Sequence, residues 1–329
     1  MRALALLALL GATAPADGQP RLVRAPRARQ ALQRFLRSGQ ITPYVAEQTT
    51  RTFDGGMAES RQILKHAGPR RQRIEYVAPP RLAGEVILIA GPRLLHYRPR
   101  PRPRIIEGDA GVADLADRAR DLLASLAAGK VRIALVGSEV VAGRDTDIVE
   151  VRPGPGAPFK RLWIDRETGV RLKHETVDPT GAVIVSSYFT KVTYEPVFGP
   201  GDFLPDRLPP APIEAHIPSS PPLGSVAEAQ RLAGYTVRVP NLPPRFVLEG
   251  VWATGPAGGR GVLLRFTDGV NTVVLGQRRL PRLGTAPSPA DSSVRSRRGV
   301  AYWVSGDRVY TLFANVRPEV LRRIVASLR

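Results

Sequence analysis

The residues that could carry out chemistry are few and widely separated. The four histidines show no HExxH or similar metal-binding spacing; they are His66, His96, His174 and His216. A cysteine-ligated zinc site is excluded because the chain has no cysteine. A metal site assembled by folding from distant histidines stays open as an alternative.

Other catalytic patterns are equally weak. The sequence has no GxSxG motif of the kind that presents a nucleophilic serine. The glycine-rich stretch GPAGGRG, residues 255–261, lacks the Lys-Ser/Thr pair of a phosphate-binding loop, so we interpret it as a hairpin loop. The acidic residues are scattered and suggest no general acid/base pair. We therefore predict a protein that is not an enzyme and needs no cofactor.

The N-terminus has the pattern of an export signal. Arg2 is followed by an apolar stretch from Ala3 to Ala14 and then by small residues. The stretch is shorter than the roughly 20 residues that span a bilayer, but it fits a secretory signal peptide. Cleavage could follow Ala14 or Gly18. We favour Gly18, which makes residues 1–18 the signal peptide and predicts a periplasmic protein.

The chain is strongly basic, with a formal net charge of +19 carried mostly by arginine. Arginine suits phosphate and sulfate partners, although a GC-rich genome alone would also enrich it. Export argues against nucleic acid and favours an anionic lipid, lipopolysaccharide or an acidic protein segment. The densest basic stretch is YRPRPRPR, residues 97–104, which is either a basic arm that contacts anionic headgroups or an extended solvated loop. Its candidate contacts are Arg98, Arg100, Arg102 and Arg104.

The elements that would position these residues are mostly strands. Apolar and polar residues alternate in about ten segments between residues 44 and 194, as in antiparallel strands. A short helix with Leu32, Phe35 and Leu36 on one face precedes them. A longer helix with Leu115, Leu122 and Leu126 on one face interrupts them. This pattern predicts an α+β fold in which a curved sheet covers a helix.

A proline-rich segment divides the chain. Residues 196–222 contain nine prolines, which favours an extended linker because proline cannot donate to a strand ladder. Beyond it, Ser225 and Glu228 form a capping box, several strands follow, and a helix with Leu321 and Ile324 on one face ends the chain. We therefore predict a first domain at 26–195, a linker at 196–222 and a smaller α+β domain at 223–329.

Several segments resemble a known family. RLWIDRETGVRLKHETVDPTGAVIVSSYFTKV (161–192), VVAGRDTDIVEVRP (140–153) and RQRIEYVAPPRLAGEVILIAGPRLLHYRP (71–99) are similar to strands of the LolA-like fold. In the second unit, LPPRFVLEG (242–250) and GVLLRFTDGVNTVVLGQ (261–277) resemble the C-terminal domain of the RseB/MucB proteins. VYTLFANVRPEVLRRIVASL (309–328) resembles that domain's closing strand and helix.

The resemblance implies both a fold and a function. The fold is an unclosed antiparallel β-barrel, a half-barrel with plugging helices and an apolar groove, followed by a smaller domain. The function is regulatory: proteins of this type bind the extracytoplasmic segment of a membrane-bound anti-sigma factor and shield it from proteolysis. An acyl lipid or lipopolysaccharide acts as the signal that relieves the block.

The half-barrel predicts an apolar groove, which marks a ligand or partner site. The strand faces that line it are not fixed by the sequence, and ordinary core positions are the alternative for each candidate. The candidate lining residues are Ile87, Ile89, Leu95, Tyr97, Leu122, Leu126, Leu162, Trp163, Ile164, Val183, Val185 and Phe189.

Two other functions stay open. One is a LolA-type periplasmic carrier of lipids or lipoproteins, and the other is an envelope protein that binds polysaccharide or lipopolysaccharide through its arginines. The second domain favours the regulatory function because a carrier does not need it.

Overall fold

A computed structural model describes residues 25–37, 41–53, 56–109, 122–216, 222–254, 261–280, 295–297, 300–314 and 318–328. The predicted signal peptide, most of loop 255–261 and the first part of the helix that contains Leu115 lie outside these residues. Among the described helices, none is both long and apolar enough to cross a membrane.

The first sheet has twelve strands and is not closed into a barrel. Its order is β12-β6-β5-β4-β3-β2-β1-β11-β10-β9-β8-β7, and neighbouring strands are antiparallel except for the parallel pair β12–β6. The strands are β1 (Tyr44–Phe53), β2 (Met57–His66), β3 (Arg71–Ala78), β4 (Val86–Ala90), β5 (Arg93–Arg98), β6 (Arg104–Asp109), β7 (Arg132–Val141), β8 (Arg144–Arg152), β9 (Phe159–Asp165), β10 (Arg171–Val177), β11 (Val183–Tyr194) and β12 (Ile213–His216).

Helix α1 (Ala25–Arg37) covers part of one face of this sheet. Its apolar residues recur at helical spacing, so Ala28, Ala31 and Leu32 are fully buried against β7, β8 and β9. The helical residues 122–127, here α2, add Leu122 and Leu126 to the same cluster. The predicted open sheet with helices on one side is confirmed; we call the face that α1 covers the inner face.

The opposite face is covered by part of the proline-rich segment predicted as a linker. Residues 198–212, here the strap, place Phe203 and Leu208 in a buried cluster with strand residues of β4 and β5. Lys65 of β2 donates to Asp202 at 2.6 Å. The strap therefore packs on the sheet through side chains, since its prolines cannot donate to a strand ladder. It then leads into β12 beside β6.

The second sheet has six strands in the order β13-β14-β15-β18-β17-β16. The strands are β13 (Val247–Thr254), β14 (Gly261–Thr267), β15 (Thr272–Arg279), β16 (Arg295–Arg297), β17 (Val300–Ser305) and β18 (Arg308–Ala314). Helices α3 (Val226–Ala233) and α4 (Pro318–Ala326) pack on it around a core that contains Trp303 and Tyr310. One half of the predicted capping box is present, because the Ser225 hydroxyl accepts from the Glu228 backbone N–H at 3.1 Å. The Glu228 carboxylate accepts from the backbone N–H of Gly224 at 2.9 Å.

The turn between β14 and β15 connects the two sheets. Asn271 Nδ2 donates to the Pro158 carbonyl at 2.8 Å, and Val270 packs into the cluster beneath α1. Asp268 is buried, accepts from the backbone N–H groups of Val270 and Asn271, and pairs with Arg245 at 3.4 Å. A polar turn of the second sheet is thereby fixed against the first.

Candidate functional site

A cavity of about 250 Å³ opens on the inner face beside α1. Its walls come from α1, from strands β1, β2, β3 and β11, and from the start of β10. They combine apolar and polar side chains: Phe35, Tyr44, Gln48, Leu64, His66, Gln72, Ile74, Val170, Arg171, Leu172, His174, Ser187 and Phe189. We call this space the inner cavity.

A β-bulge brings two basic side chains into it. In a regular strand Arg171 and His174 would face opposite sides, since they are three residues apart. The register of β10 against β9 shifts between Arg171 and Lys173, so Arg171 lies opposite Ile164 and His174 opposite Leu162. Leu162 and Ile164 both pack in the cluster beneath α1, which places both basic residues on the inner face.

The inner cavity contains a charged side chain, Arg171, that is largely removed from water. Burial lowers the pKa of Arg171, although an arginine stays protonated at neutral pH. Burial also raises the pKa of Tyr44 to about 12, so its hydroxyl is neutral. Burial, followed by Arg171 and Lys160, holds the pKa of His174 well below its usual range, and its imidazole is neutral too. Arg171 is therefore the charged group among these three.

The structure divides the predicted groove residues among different clusters. Leu122, Leu126, Leu162 and Ile164 pack together beneath α1. Leu95 and Tyr97 lie on the opposite face, under the strap. Trp163 donates its indole N–H to Glu139 at 2.6 Å and packs in a further cluster with Phe189.

Of the remaining candidates, Val183 and Phe189 line a cavity, whereas Ile87, Ile89 and Val185 do not. Ile87 and Ile89 lie directly opposite Ile74 and Gln72, two residues of the inner cavity, and so share its face. Val183 and Phe189 line a cleft of about 470 Å³ at the end of β7. Val185 pairs with Thr52 and Thr176. Of the predicted set, Phe189 lines the inner cavity itself.

The basic stretch at residues 97–104 forms the end of a hairpin. Strands β5 and β6 pair as far as Arg98 and Arg104, and the intervening prolines occupy the turn, where no ladder donor is needed. Arg98 lies 3.5 Å from Glu85, and Arg100 donates to the Pro80 carbonyl at 2.6 Å. Arg102 is exposed. The two ends of the stretch are thus fixed by strand pairing, and its contact with anionic headgroups stays a prediction.

A second cavity, of about 600 Å³, lies where the two sheets meet. We call it the inter-sheet cavity. Residues from both sides line it, and most are apolar or proline: Gly156, Pro158, Pro179, Asn241, Leu242, Pro243, Pro244, Arg245, Phe246, Asn271, Val273, Val320, Arg323, Ile324 and Ser327.

Comparisons with known proteins agree with this architecture. Residues 85–212 match the family described as the MucB/RseB N-terminal domain. The crystal structure of MucB is similar over 92% of this chain and 97% of its own length, with a TM-score of 0.56 and 18% identity. The complex structure of Pseudomonas aeruginosa MucA/MucB is similar over 92% and 98%, with a TM-score of 0.55 and 18% identity. This chain has the MucB fold. No curated protein matches the sequence.

The MucB/RseB match clarifies the role of the strap. The matched range ends at residue 212, so it includes the strap and passes residue 195, where the sequence predicted the first domain to end. This agrees with the burial of Phe203 and Leu208 against β4 and β5. The exact domain boundaries stay a prediction.

Sequence reasoning missed two sets of residues. Arg171 and His174 were overlooked because a bulge is needed to place both on the inner face. The inter-sheet cavity was overlooked because its walls come from distant segments, such as residues 156–158 and 241–246. The repeated prolines of 243–244 were the available signal. Among the described residues, no group of acidic residues and histidines is placed to hold a metal ion.

Proposed function

We propose that this chain is an exported, non-enzymatic regulatory protein that binds the extracytoplasmic segment of a membrane anti-sigma factor and shields it from proteolysis. One observation carries the proposal: the fold matches MucB across both sheets, and solved structures of that protein include its complexes with MucA(peri) and with MucA. The MucB/RseB match over residues 85–212 supports it independently. The periplasm is the proposed location.

The geometry supports a role for both sheets in binding. The inter-sheet cavity is lined mainly by apolar groups and prolines. Its polar side chains, which could satisfy a peptide backbone, are Asn241, Arg245, Asn271, Arg323 and Ser327. A surface assembled from two units recognises a partner only while those units stay together. We therefore place the anti-sigma segment across this cavity.

The direct test uses residues 19–329 and the purified extracytoplasmic segment of a membrane anti-sigma factor from the same organism. We expect calorimetry to show binding, and we expect the segment to resist added protease in the complex. Leu242→Asp should weaken binding at least tenfold because Leu242 lines the inter-sheet cavity. Leu232→Asp is the matched control, since Leu232 is 50% exposed on α3.

A pull-down from membranes, with lipid extraction of the same sample, separates the alternatives. An anti-sigma segment in the eluate supports the proposal. Bound acyl lipid without a protein partner would replace it with a LolA-type carrier, and turnover of a soluble substrate would contradict both. An acyl lipid or lipopolysaccharide found together with the anti-sigma segment fits the proposed lipid signal.

A further inference from the structure

Arg171 is a cation with no anionic partner among the residues that the structure describes. No Asp or Glu of the described residues forms an ion pair with it, and its described neighbours are the Phe35 ring, 5.7 Å from the guanidinium carbon, and neutral Tyr44. Elsewhere in the first sheet, buried or half-buried arginines have carboxylate partners. Arg144, for example, pairs with Asp165 at 2.8 Å, and Arg161 pairs with Glu150 at the same distance.

A buried positive charge of this kind is unfavourable when no anion lies beside it. A desolvated cation without a counter-charge loses hydration that ring contacts only partly replace. Other groups around Arg171 do not supply the missing charge. His174 and Tyr44 are neutral, and Gln48 and Ser187 bond to each other at 3.0 Å.

The cavity leaves room for a counter-charge. Arg171 is partly exposed, so it contacts the solvent inside the inner cavity even though the sheet and α1 surround it. A guanidinium presents its N–H donors in a planar fork that matches a carboxylate or a phosphate. Phe35, Leu64, Ile74 and Phe189 line the same space and suit an apolar group.

The volume limits the size of the occupant. About 250 Å³ lies just below the usual range for small-molecule pockets, so a long acyl chain cannot be enclosed completely. A short chain, or the charged end of a longer one, fits this space.

We propose that the inner cavity binds an amphiphilic oxyanion, a carboxylate or phosphate on an apolar body, and that the Arg171 guanidinium pairs with its charged group. The site therefore selects for charge, whereas the sequence predicted a purely apolar groove. This inference goes beyond the proposed function, because it names a ligand class for the inner cavity and does not depend on binding of the anti-sigma segment.

Calorimetry on delipidated protein at neutral pH tests the inference with four probes: octanoate, octyl phosphate, octan-1-ol and inorganic phosphate. We expect at least one of the two amphiphilic anions to bind at least tenfold more tightly than both octan-1-ol and inorganic phosphate. Equal binding of octan-1-ol would show that charge is not recognised. Equal binding of inorganic phosphate would show that the apolar body does not contribute to binding. Either result would contradict the proposal. No binding of any probe would also contradict the proposal.

Two variants locate the site. Arg171→Met keeps the side-chain length, removes the charge and should weaken binding of the anionic probe at least tenfold. Arg61→Met is the control because Arg61 is exposed and adjoins Gln62, which pairs with the cavity residue Gln48, so that Arg61 faces away from the cavity. Equal loss in both variants would overturn the assignment to Arg171.

Thermal unfolding of the ligand-free protein provides an independent measure. Since Arg171→Met removes an unpaired desolvated charge, its midpoint should equal or exceed that of the wild type. A lower midpoint would show that Arg171 has a structural partner and would contradict the proposal. Arg171→Met should also retain the anti-sigma segment, so failure of the anion site and failure of the proposed function give different results.

Discussion

Asp165 stabilises the turn between β9 and β10 from a position that is 1% exposed. Its carboxylate accepts from the backbone N–H groups of Glu167 and Thr168, from Arg144 at 2.8 Å and from the Tyr194 hydroxyl at 2.9 Å. These partners come from the turn itself, from β8 and from β11. One carboxylate thus connects three strands that are distant in sequence.

The protonation of Asp165 links this network to pH. Burial alone would raise the pKa of the carboxyl, but the bonds from Arg144, Thr168, Glu167 and Tyr194 outweigh it and hold the pKa below the ordinary value of 3.8. A lowered pKa stabilises the folded state above the unfolded pKa, and this stability is lost as pH falls through the folded pKa.

Asp165→Asn should therefore destabilise the protein by about 2 kcal/mol at pH 7, since it weakens hydrogen bonds from a charged partner and leaves Arg144 poorly paired. The difference from the wild type should shrink as the pH falls below about 4, where the unfolded chain takes up the proton, and should vanish once the pH is below the lowered pKa of the folded carboxyl. Urea unfolding at several pH values measures both effects. Glu167→Gln is the control, because its side chain is 79% exposed and should change stability by less than about 0.5 kcal/mol. A pH-independent difference would contradict this account.

At the scale of elements, the strap shows what composition can and cannot predict. Nine prolines between residues 196 and 222 favoured an extended segment, and residues 196–212 contain no strand. They did not show that Phe203 and Leu208 would pack on the face of the sheet opposite α1, because this contact depends on the shape of a surface formed by β4 and β5. The same limit applies to Arg171 and His174, whose common face depends on a bulge. Strand alternation and turn residues predicted the open sheet, since those signals are local.

Because the strap is buried, truncating its apolar side chains to alanine should reduce the stability of the protein. Phe203→Ala should destabilise the protein by about 3–5 kcal/mol and Leu208→Ala by about 2–5 kcal/mol, because both create cavities against β4 and β5. Leu204→Ala provides the control, as Leu204 lies between them and is 45% exposed. Chemical denaturation and limited proteolysis at the strap measure the effect. If the strap behaved as a free linker, all three variants would match the wild type.

At the scale of the whole molecule, the proposed function depends on how the two sheets meet. The contact is made by a turn in which Gly269 has a φ of +86° and lies close to α2 and the start of β7. An added Cβ would be 2.9 Å from Ser125 Oγ and 3.0 Å from Val131 Cγ2. Glycine is required there both for its backbone conformation and for the close approach. The inter-sheet cavity shares Asn271 with this turn, so partner binding and contact between the sheets should be coupled.

Gly269→Ala tests this coupling. Because the new methyl group pushes against Ser125 and Val131, we expect about 1–3 kcal/mol of destabilisation, a larger radius of gyration in small-angle scattering and weaker binding of the anti-sigma segment. Gly306→Ala is the matched control: its φ is +61°, but a Cβ there would meet no atom within 4 Å. The control should show backbone strain of about 1 kcal/mol, with unchanged scattering and binding. Equal scattering and binding in the two variants would show that close contact between the sheets is not needed for recognition, and the anti-sigma segment would then have to bind one sheet alone.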